Sequence, residues 1–141
     1  MTHTWLGDLS VTISHNGKNI DLMDRNYRTT TTGLGLSSDM NGNYMFDEGA
    51  ALMSGTTIAA GTYGRFANAG FGSSTAADSY GSLNGTELSG TWTITIHDYE
   101  AGDTGAVQSM RIVGTYNAVP EPATMAALGL GLAAMARRRR K

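Results

Sequence analysis

Alternating hydrophobic and polar residues near the N-terminus predict a β-hairpin. The stretch "DLSVTIS" changes between apolar and polar at every residue, which is the period of a half-buried strand. The Asn16-Gly17 pair that follows is a strong signal for a tight hairpin turn, and "NIDLM" supplies the return strand. The expected inward-facing side chains of this hairpin are Leu9, Val11, Ile13, Ile20 and Leu22.

A second group of alternating segments lies towards the C-terminus. "TWTITIHD" places Trp92, Ile94 and Ile96 on one face, and residues 107–114 alternate in the same way, so both segments are predicted strands. Residues 54–90 are rich in Gly, Ser, Thr and Ala, and no helical period precedes residue 123. Short strands separated by turn residues are typical of an all-β fold, an antiparallel β-sandwich of jelly-roll-like type. The residues of 54–90 that can reach a core are Tyr63, Phe66, Phe71 and Leu83.

The C-terminal tail differs in composition from the rest of the chain. "VPEP" at 119–122 is followed by the apolar run 123–136 and five basic residues. This order resembles the PEP-CTERM sorting signal of Gram-negative bacteria, which implies processing by a membrane-embedded exosortase. The sorting motif is Val119, Pro120, Glu121 and Pro122. The membrane anchor includes Ala123, Leu128, Leu130, Leu132 and Met135. The basic stop is Arg137, Arg138, Arg139, Arg140 and Lys141.

The physical properties of this tail agree with a short transmembrane helix. Basic residues next to an apolar helix are retained on the cytoplasmic side of the inner membrane, which leaves the Pro-Glu-Pro motif outside. Fourteen helical residues span about 21 Å, less than the roughly 30 Å of a hydrocarbon core. Local thinning and long arginine side chains can close part of that gap. The tail therefore predicts export, transient anchoring in the membrane and delivery to the cell surface or extracellular space.

The charge distribution bears on the choice of partners. The formal net charge is −2, but residues 137–141 hold five of the ten basic side chains, which leaves residues 1–136 with a net charge of −7. Nucleic acid is an improbable partner for such an acidic body, because phosphates bind to basic surfaces. The chain has no cysteine, so disulfides and cysteine-bound zinc are excluded.

Three stretches resemble the P domain, or P/Homo B domain: "HTWLGDLSVTISHNGK", "FDEGA" and "GTWTITIHDYEAGDTGAVQSMRI". That family is a β-sandwich that follows the catalytic domain in proprotein convertases and related subtilisin-like proteases, and it also occurs in exported bacterial proteins without a protease. The sequence departs from the family where Met110 replaces a usual Trp, and one expected early strand is missing. The matching positions are His3, Thr4, Gly7, Asp8, Leu9, Gly90, Thr91, Trp92, Ile94, Asp98, Gly102, Asp103 and Gly105.

The resemblance divides the chain into a P/Homo B-like sandwich at 1–117 and the sorting tail at 118–141. No Gly-x-Ser-x-Gly elbow and no subtilisin-type catalytic motif occurs, so a non-catalytic module for binding or structural support is expected. The alternative is an accessory domain that stabilises the catalytic domain of a secreted subtilisin-like serine endopeptidase. A module that binds matrix polysaccharide is a third possibility, for which Trp5 and Tyr99 are the candidate aromatic residues.

Calcium is the one cofactor that the sequence suggests. Residues 39–50 resemble a calcium loop only poorly, because Tyr44 stands where the glycine belongs and Ala50 where the bidentate acid belongs. Asp8, Asp98 and Asp103 lie in turns that can converge at one end of a sandwich, and carboxylates are ligands that calcium prefers. Simple capping of those turns is the alternative.

The N-terminus raises a separate expectation. A sorting tail of this kind acts on an exported chain, yet no secretory signal precedes residue 3. The missing early strand would also leave an unpaired edge beside "DLSVTIS", which favours aggregation. Met1 is therefore predicted not to be the natural start, and residues 1–117 alone are predicted to be poorly soluble.

Overall fold

The computed structural model describes residues 1–27, 33–66, 78–115 and 122–139. They fall into two compact units, Met1–Arg111 and Ile112–Lys141. The first unit is mostly sheet, with two short 3₁₀ helices at Leu6–Asp8 and Tyr80–Leu83. Its strands are β1 Thr2–His3, β2 Leu9–His15, β3 Lys18–Asp24, β4 Asp39–Asn41, β5 Tyr44–Phe46, β6 Thr57–Ile58, β7 Gly61–Tyr63, β8 Thr93–Asp98 and β9 Gly105–Ala106.

The predicted hairpin is confirmed. β2 and β3 are antiparallel, with His15 opposite Lys18 at the turn and one irregularity in register after Val11. Asn16 and Gly17 both have positive φ, 48° and 74°, which is the conformation of a two-residue type I′ turn. The five side chains expected to face inward are all buried.

β2 is the central strand of a three-stranded antiparallel sheet in the order β3-β2-β8. Ile13 lies opposite Ile94 and Val11 opposite Ile96. The expectation of an unpaired edge beside "DLSVTIS" is therefore wrong, because β2 has a hydrogen-bonded neighbour on each side. β8 is the edge strand on this side of the sheet, and β2 is its hydrogen-bonded neighbour.

The remaining strands form a four-stranded sheet in the order β6-β4-β1-β9 and a two-stranded sheet of β5 and β7. β1 pairs antiparallel with both β4 and β9, whereas β4 with β6 and β5 with β7 are parallel pairs. The expected all-β character and antiparallel pairing are thus confirmed for the main strands. The two short parallel pairs were not foreseen.

The hydrophobic core extends beyond the hairpin into segments without clear alternation. Tyr63 and Leu83 pack against it at partial burial, as expected, while the prediction for Phe71 lies outside the described residues. The fully buried side chains that periodicity missed are Leu6, Met23, Met40, Met53 and Ile58. Leu6, Met40 and Ile58 belong to elements of two or three residues, too short to display a period. Met23 lies in β3 next to Leu22, out of step with the alternation, and Met53 lies outside the strands.

Two expectations for the C-terminal strands are wrong. Residues 107–114, all of which are described, form no strand and are exposed. Ile94 and Ile96 are 37% and 40% exposed rather than buried, and in the described part of the chain β8 is the edge strand of its sheet. Sequence alternation alone does not distinguish an edge strand from a covered one.

Trp92 does reach the core, though it stands just before β8. Its ring stacks on the buried His15 imidazole, with ring centres 3.9 Å apart and an angle of 1° between the planes. The two ring nitrogens of His15 lie 3.0 Å from the Thr91 carbonyl oxygen and 2.6 Å from that of Glu87. These contacts fix the segment before β8 to the hairpin.

The second unit contains one helix, α1 Pro122–Arg138. Proline suits the first position of a helix, where its missing N–H group has no intrahelical partner to lose. Leu128, Leu130, Leu132 and Met135 are exposed. In the parts of the chain that the structure describes, no helix combines the length and apolar character needed to cross a membrane, so the expected transmembrane helix is not supported.

Some of the expected tail residues cannot be placed. Two groups lie outside the described residues: Val119, Pro120 and Glu121 of the sorting motif, and Arg140 and Lys141 of the basic stop. Ala123 belongs to α1. Arg137 and Arg138 occupy the last turn of α1, where positive charge stabilises the helix dipole.

We predict that Gly7→Ala destabilises the protein far more than Gly114→Ala. A Cβ atom at Gly7 would lie 2.6 Å from the Leu36 nitrogen and 2.7 Å from the Gly35 Cα, and nearer still to the Leu34 oxygen. Overpacking against backbone costs about 1–3 kcal/mol. A Cβ at Gly114 meets nothing within 4 Å. Urea denaturation of both variants tests this, and equal midpoints would contradict the packing around Gly7.

Candidate functional site

The ends of β1, β2 and β8 meet at one end of the first unit. β1 pairs with β9 through His3 opposite Gly105, and β2 pairs with β8 through Leu9 opposite Asp98. The residues just before β2 and just after β8 are therefore brought together. We call this group the acidic cluster, and its members are His3, Asp8, Arg25, Asp98, Tyr99, Glu100 and Asp103.

His3 connects the N-terminal strand to the end of β8. Its Nδ1 accepts a hydrogen bond of 3.1 Å from the Trp5 backbone N–H. The Nε2 atom then carries the proton in the neutral ring, and it lies 3.3 Å from Asp98 Oδ2. His3 is 3% exposed, so this imidazole is a buried packing element.

Asp103 contacts a side chain from the N-terminal segment. Its Oδ1 accepts a 2.7 Å hydrogen bond from the Thr4 hydroxyl. The same Thr4 oxygen accepts a 3.2 Å bond from the Thr104 backbone N–H. These two bonds tie the loop after β8 to the residue that follows β1.

Asp8 is the most buried carboxylate of the cluster. It ends the 3₁₀ helix before β2 and is 2% exposed. Its Oδ1 atom makes no hydrogen bond with the described residues, although it lies 3.9 Å from Arg25 Nη2. Its backbone oxygen accepts a 3.0 Å hydrogen bond from the Tyr99 N–H, which fixes the start of the loop after β8.

Arg25 is the cation at the centre of the cluster, and it was not identified from the sequence. It is 4% exposed. Its Nη2 donates a 3.0 Å hydrogen bond to Glu100 Oε1, and its Nε donates a 3.3 Å bond to the Gly7 carbonyl. Its guanidinium lies 5.0 Å from the centre of the Tyr99 ring. The sequence did contain one signal for this role of Arg25: it is a basic residue directly after a predicted strand, in a part of the chain that is otherwise acidic.

Burial raises the pKa of Asp8 above its ordinary value of 3.8. The Arg25 charge opposes that rise, while the carboxylates of Glu100, Asp103 and Asp98 add to it. Asp98 and Asp103 therefore both act on the Asp8 carboxyl group.

The structure does not arrange those three carboxylates as a metal site. Within residues 1–27, 33–66, 78–115 and 122–139, no group of three His, Asp or Glu side chains is placed to hold a metal ion. Asp8 faces Arg25, Asp98 faces His3, and Asp103 binds Thr4. Calcium binding by Asp8, Asp98 and Asp103 stays a prediction.

Comparison with known proteins identifies the tail. Residues 118–141 match the family model described as the PEP-CTERM protein-sorting motif. Neither the curated proteins nor the solved structures contain a significant match to this chain. The resemblance of residues 2–116 to the P/Homo B family therefore has no support from these comparisons.

We predict that Asp8→Asn changes the pH dependence of stability. Because the folded state raises the pKa of Asp8, its ionisation costs stability as the pH rises from about 4 towards 7. The melting temperature of Asp8→Asn minus that of the unmodified protein should therefore increase over this range. Asp39→Asn, at an exposed carboxyl in β4, is the control and should give a constant difference.

The opposite trend would contradict this prediction. If the difference in melting temperature falls as the pH rises, attraction to Arg25 outweighs the cost of burying the Asp8 carboxylate.

For calcium, we predict at most a modest rise in melting temperature of the full chain, because Arg25 competes for Asp8. A ligand that binds only the folded state stabilises it in proportion to its saturation. Differential scanning fluorimetry with calcium and with chelator measures the effect. Asp98→Asn should abolish the rise, whereas the control Asp39→Asn should preserve it. If the unmodified protein melts at the same temperature with calcium and with chelator, the calcium prediction is wrong.

Proposed function

We propose that this protein is exported, sorted by an exosortase and released to the cell surface or extracellular matrix. Its first unit then acts as a non-catalytic, P/Homo B-like β-sandwich for binding or structural support. The match of residues 118–141 to the PEP-CTERM protein-sorting motif carries the proposal. That motif suggests export, sorting to the outside of the cell and recognition by exosortase.

The physical character of the tail supports this use. α1 has 17 residues, or about 25 Å at 1.5 Å per residue. Its exposed leucines give it affinity for the boundary of a bilayer, and the arginines of its last turn suit anionic headgroups. Transient anchoring before cleavage is part of the proposal.

The P/Homo B-like assignment rests on how two blocks of the sequence meet. The His-Thr block near the N-terminus and the Gly-Asp-x-Gly block near residue 103 are separated by about a hundred residues. In the structure His3 contacts Asp98, and Thr4 contacts Asp103. A pair of motifs that act together in a fold is expected to be in contact, so this meeting supports the proposed relationship.

The use of the polar groups in the acidic cluster supports the proposed non-catalytic role. Within this cluster His3 and Asp98 come nearest to a catalytic pair, but His3 is buried and both of its ring nitrogens have polar partners. A general base needs access to substrate. We therefore assign His3 to structural support.

The resemblance also supports a second candidate, an accessory domain for a secreted subtilisin-like protease. The DNA sequence upstream of the gene distinguishes the stand-alone module from the protease accessory domain. An in-frame segment there with a catalytic Asp, His and Ser would favour the protease. A polysaccharide-binding role has one favourable observation, since Tyr99 is 39% exposed beside Arg25. Binding of the full chain to a glycan array tests that role.

We predict that the sorting tail at 118–141 alone determines whether the protein is processed in an exosortase-containing host. In an exosortase-containing host, the full chain should appear outside the cell in a shortened form, and Pro120→Ala with Pro122→Ala should leave it unprocessed in the membrane fraction. Immunoblotting of the cell fractions measures this. Arg111→Gln, a charge change outside the matched residues, is the control and should be processed normally.

Deletion of the exosortase gene should reproduce the effect of the proline variants. Continued shortening and release in the deletion strain would contradict the proposed sorting route.

A further inference from the structure

The outer edge of β8 is a strand edge with no partner strand in the described part of the chain. β8 is hydrogen-bonded to β2 on one side, and the sheet order β3-β2-β8 ends there. Its side chains are all exposed, including Ile94 and Ile96. An unpaired edge with apolar side chains is a template for an added strand.

The segment 107–111 is the matching feature. It is exposed, forms no strand and makes no backbone hydrogen bond with the described residues. Its sequence "VQSMR" begins an alternating pattern typical of a strand, and Val107 and Met110 are 39% and 40% exposed. Among the described residues there is thus both a strand edge with no partner strand and a strand-like segment outside the sheets.

The start of this segment is attached to the opposite sheet. Gly105 and Ala106 pair with Thr2 and His3 in β1, and Asp103 is held by Thr4. These contacts position Val107 at the end of the four-stranded sheet, whereas β8 belongs to the three-stranded one. The segment is accordingly not paired with β8 of its own chain.

We propose that the outer edge of β8 binds residues 107–111 of a second copy of this protein, in a reciprocal exchange that forms a two-fold symmetric dimer. Each copy supplies one edge and one segment, so the exchange leaves neither unpaired and the assembly closes. A foreign peptide on β8 would leave the protein's own segment exposed. This symmetry favours a second copy over other partners.

The sequence fits one antiparallel register in particular. With Ile96 opposite Met110 of the second copy, Thr95 comes opposite Arg111 and Asp98 opposite Gln108 of that copy. The exposed Ile96 side chain then meets an apolar side chain, and Tyr99, just after β8, meets Val107. Directly opposed side chains in antiparallel strands have Cβ atoms about 4.5–5.5 Å apart, within reach of a cross-link with small adjustment.

The absence of cysteine from the chain makes a disulfide test simple. Two full-length single variants, Ile96→Cys and Met110→Cys, are prepared with different tags and mixed in detergent buffer under mild oxidation. The expected result is a disulfide-linked heterodimer that forms several-fold faster than either homodimer. The matched control replaces Ile96→Cys by Thr95→Cys, whose side chain lies on the opposite face, and should cross-link poorly with Met110→Cys.

A double variant, Ile96→Cys with Met110→Cys in one chain, decides between exchange and self-pairing. Reciprocal exchange predicts a covalent dimer on a non-reducing gel, and light scattering of the unmodified full chain should give the mass of two chains. A monomer with an internal disulfide would show that the segment pairs with its own β8 and would overturn the proposal. Failure to form either disulfide, or indiscriminate cross-linking of the control, would overturn it as well.

Discussion

The guanidinium of Arg25 holds together the two regions on which the first unit depends. It contacts the loop before β2 through the Gly7 carbonyl and Asp8, and the loop after β8 through Glu100. A buried cation is tolerated only where carboxylates and hydrogen-bond acceptors surround it. Asp8 and Glu100 therefore compensate the charge of one buried arginine, whereas Asp98 and Asp103 contact His3 and Thr4 instead.

The parts of the fold that the sequence predicts are those with local causes. The β2–β3 hairpin follows from alternation and from two residues that accept positive φ, Asn16 and Gly17. The exposure of Ile94 and Ile96 depends instead on which strand lies beside β8, and that information is spread over the whole chain. Periodicity indicates which segments can form strands, but it gives no evidence about their neighbours, and residues 107–114 alternate without forming a strand. Arg25 was missed for the same reason, because its contacts with Gly7 and Glu100 join segments far apart in sequence.

The candidate site, like the fold, could be predicted only in part from the sequence. The turn chemistry around Asp8, Asp98 and Asp103 was visible in the sequence, as was the convergence of the three turns. What each carboxylate contacts was not visible, since the partners are His3, Thr4 and Arg25. The tail is different because its signal is compositional: a proline motif, an apolar run and a basic end are recognisable without a tertiary structure.

The pairing of β1 with β9 also has a consequence for how the chain folds. Thr2 and His3 are separated from their partners Ala106 and Gly105 by about a hundred residues of chain. Contacts of such high sequence separation carry a large loop-closure entropy and slow the search for the native state. The β2–β3 hairpin, whose strands are joined by two residues, can form early on its own. The final sheet must wait until the last of the β-rich unit has left the ribosome, so the chain remains incompletely folded for most of its synthesis.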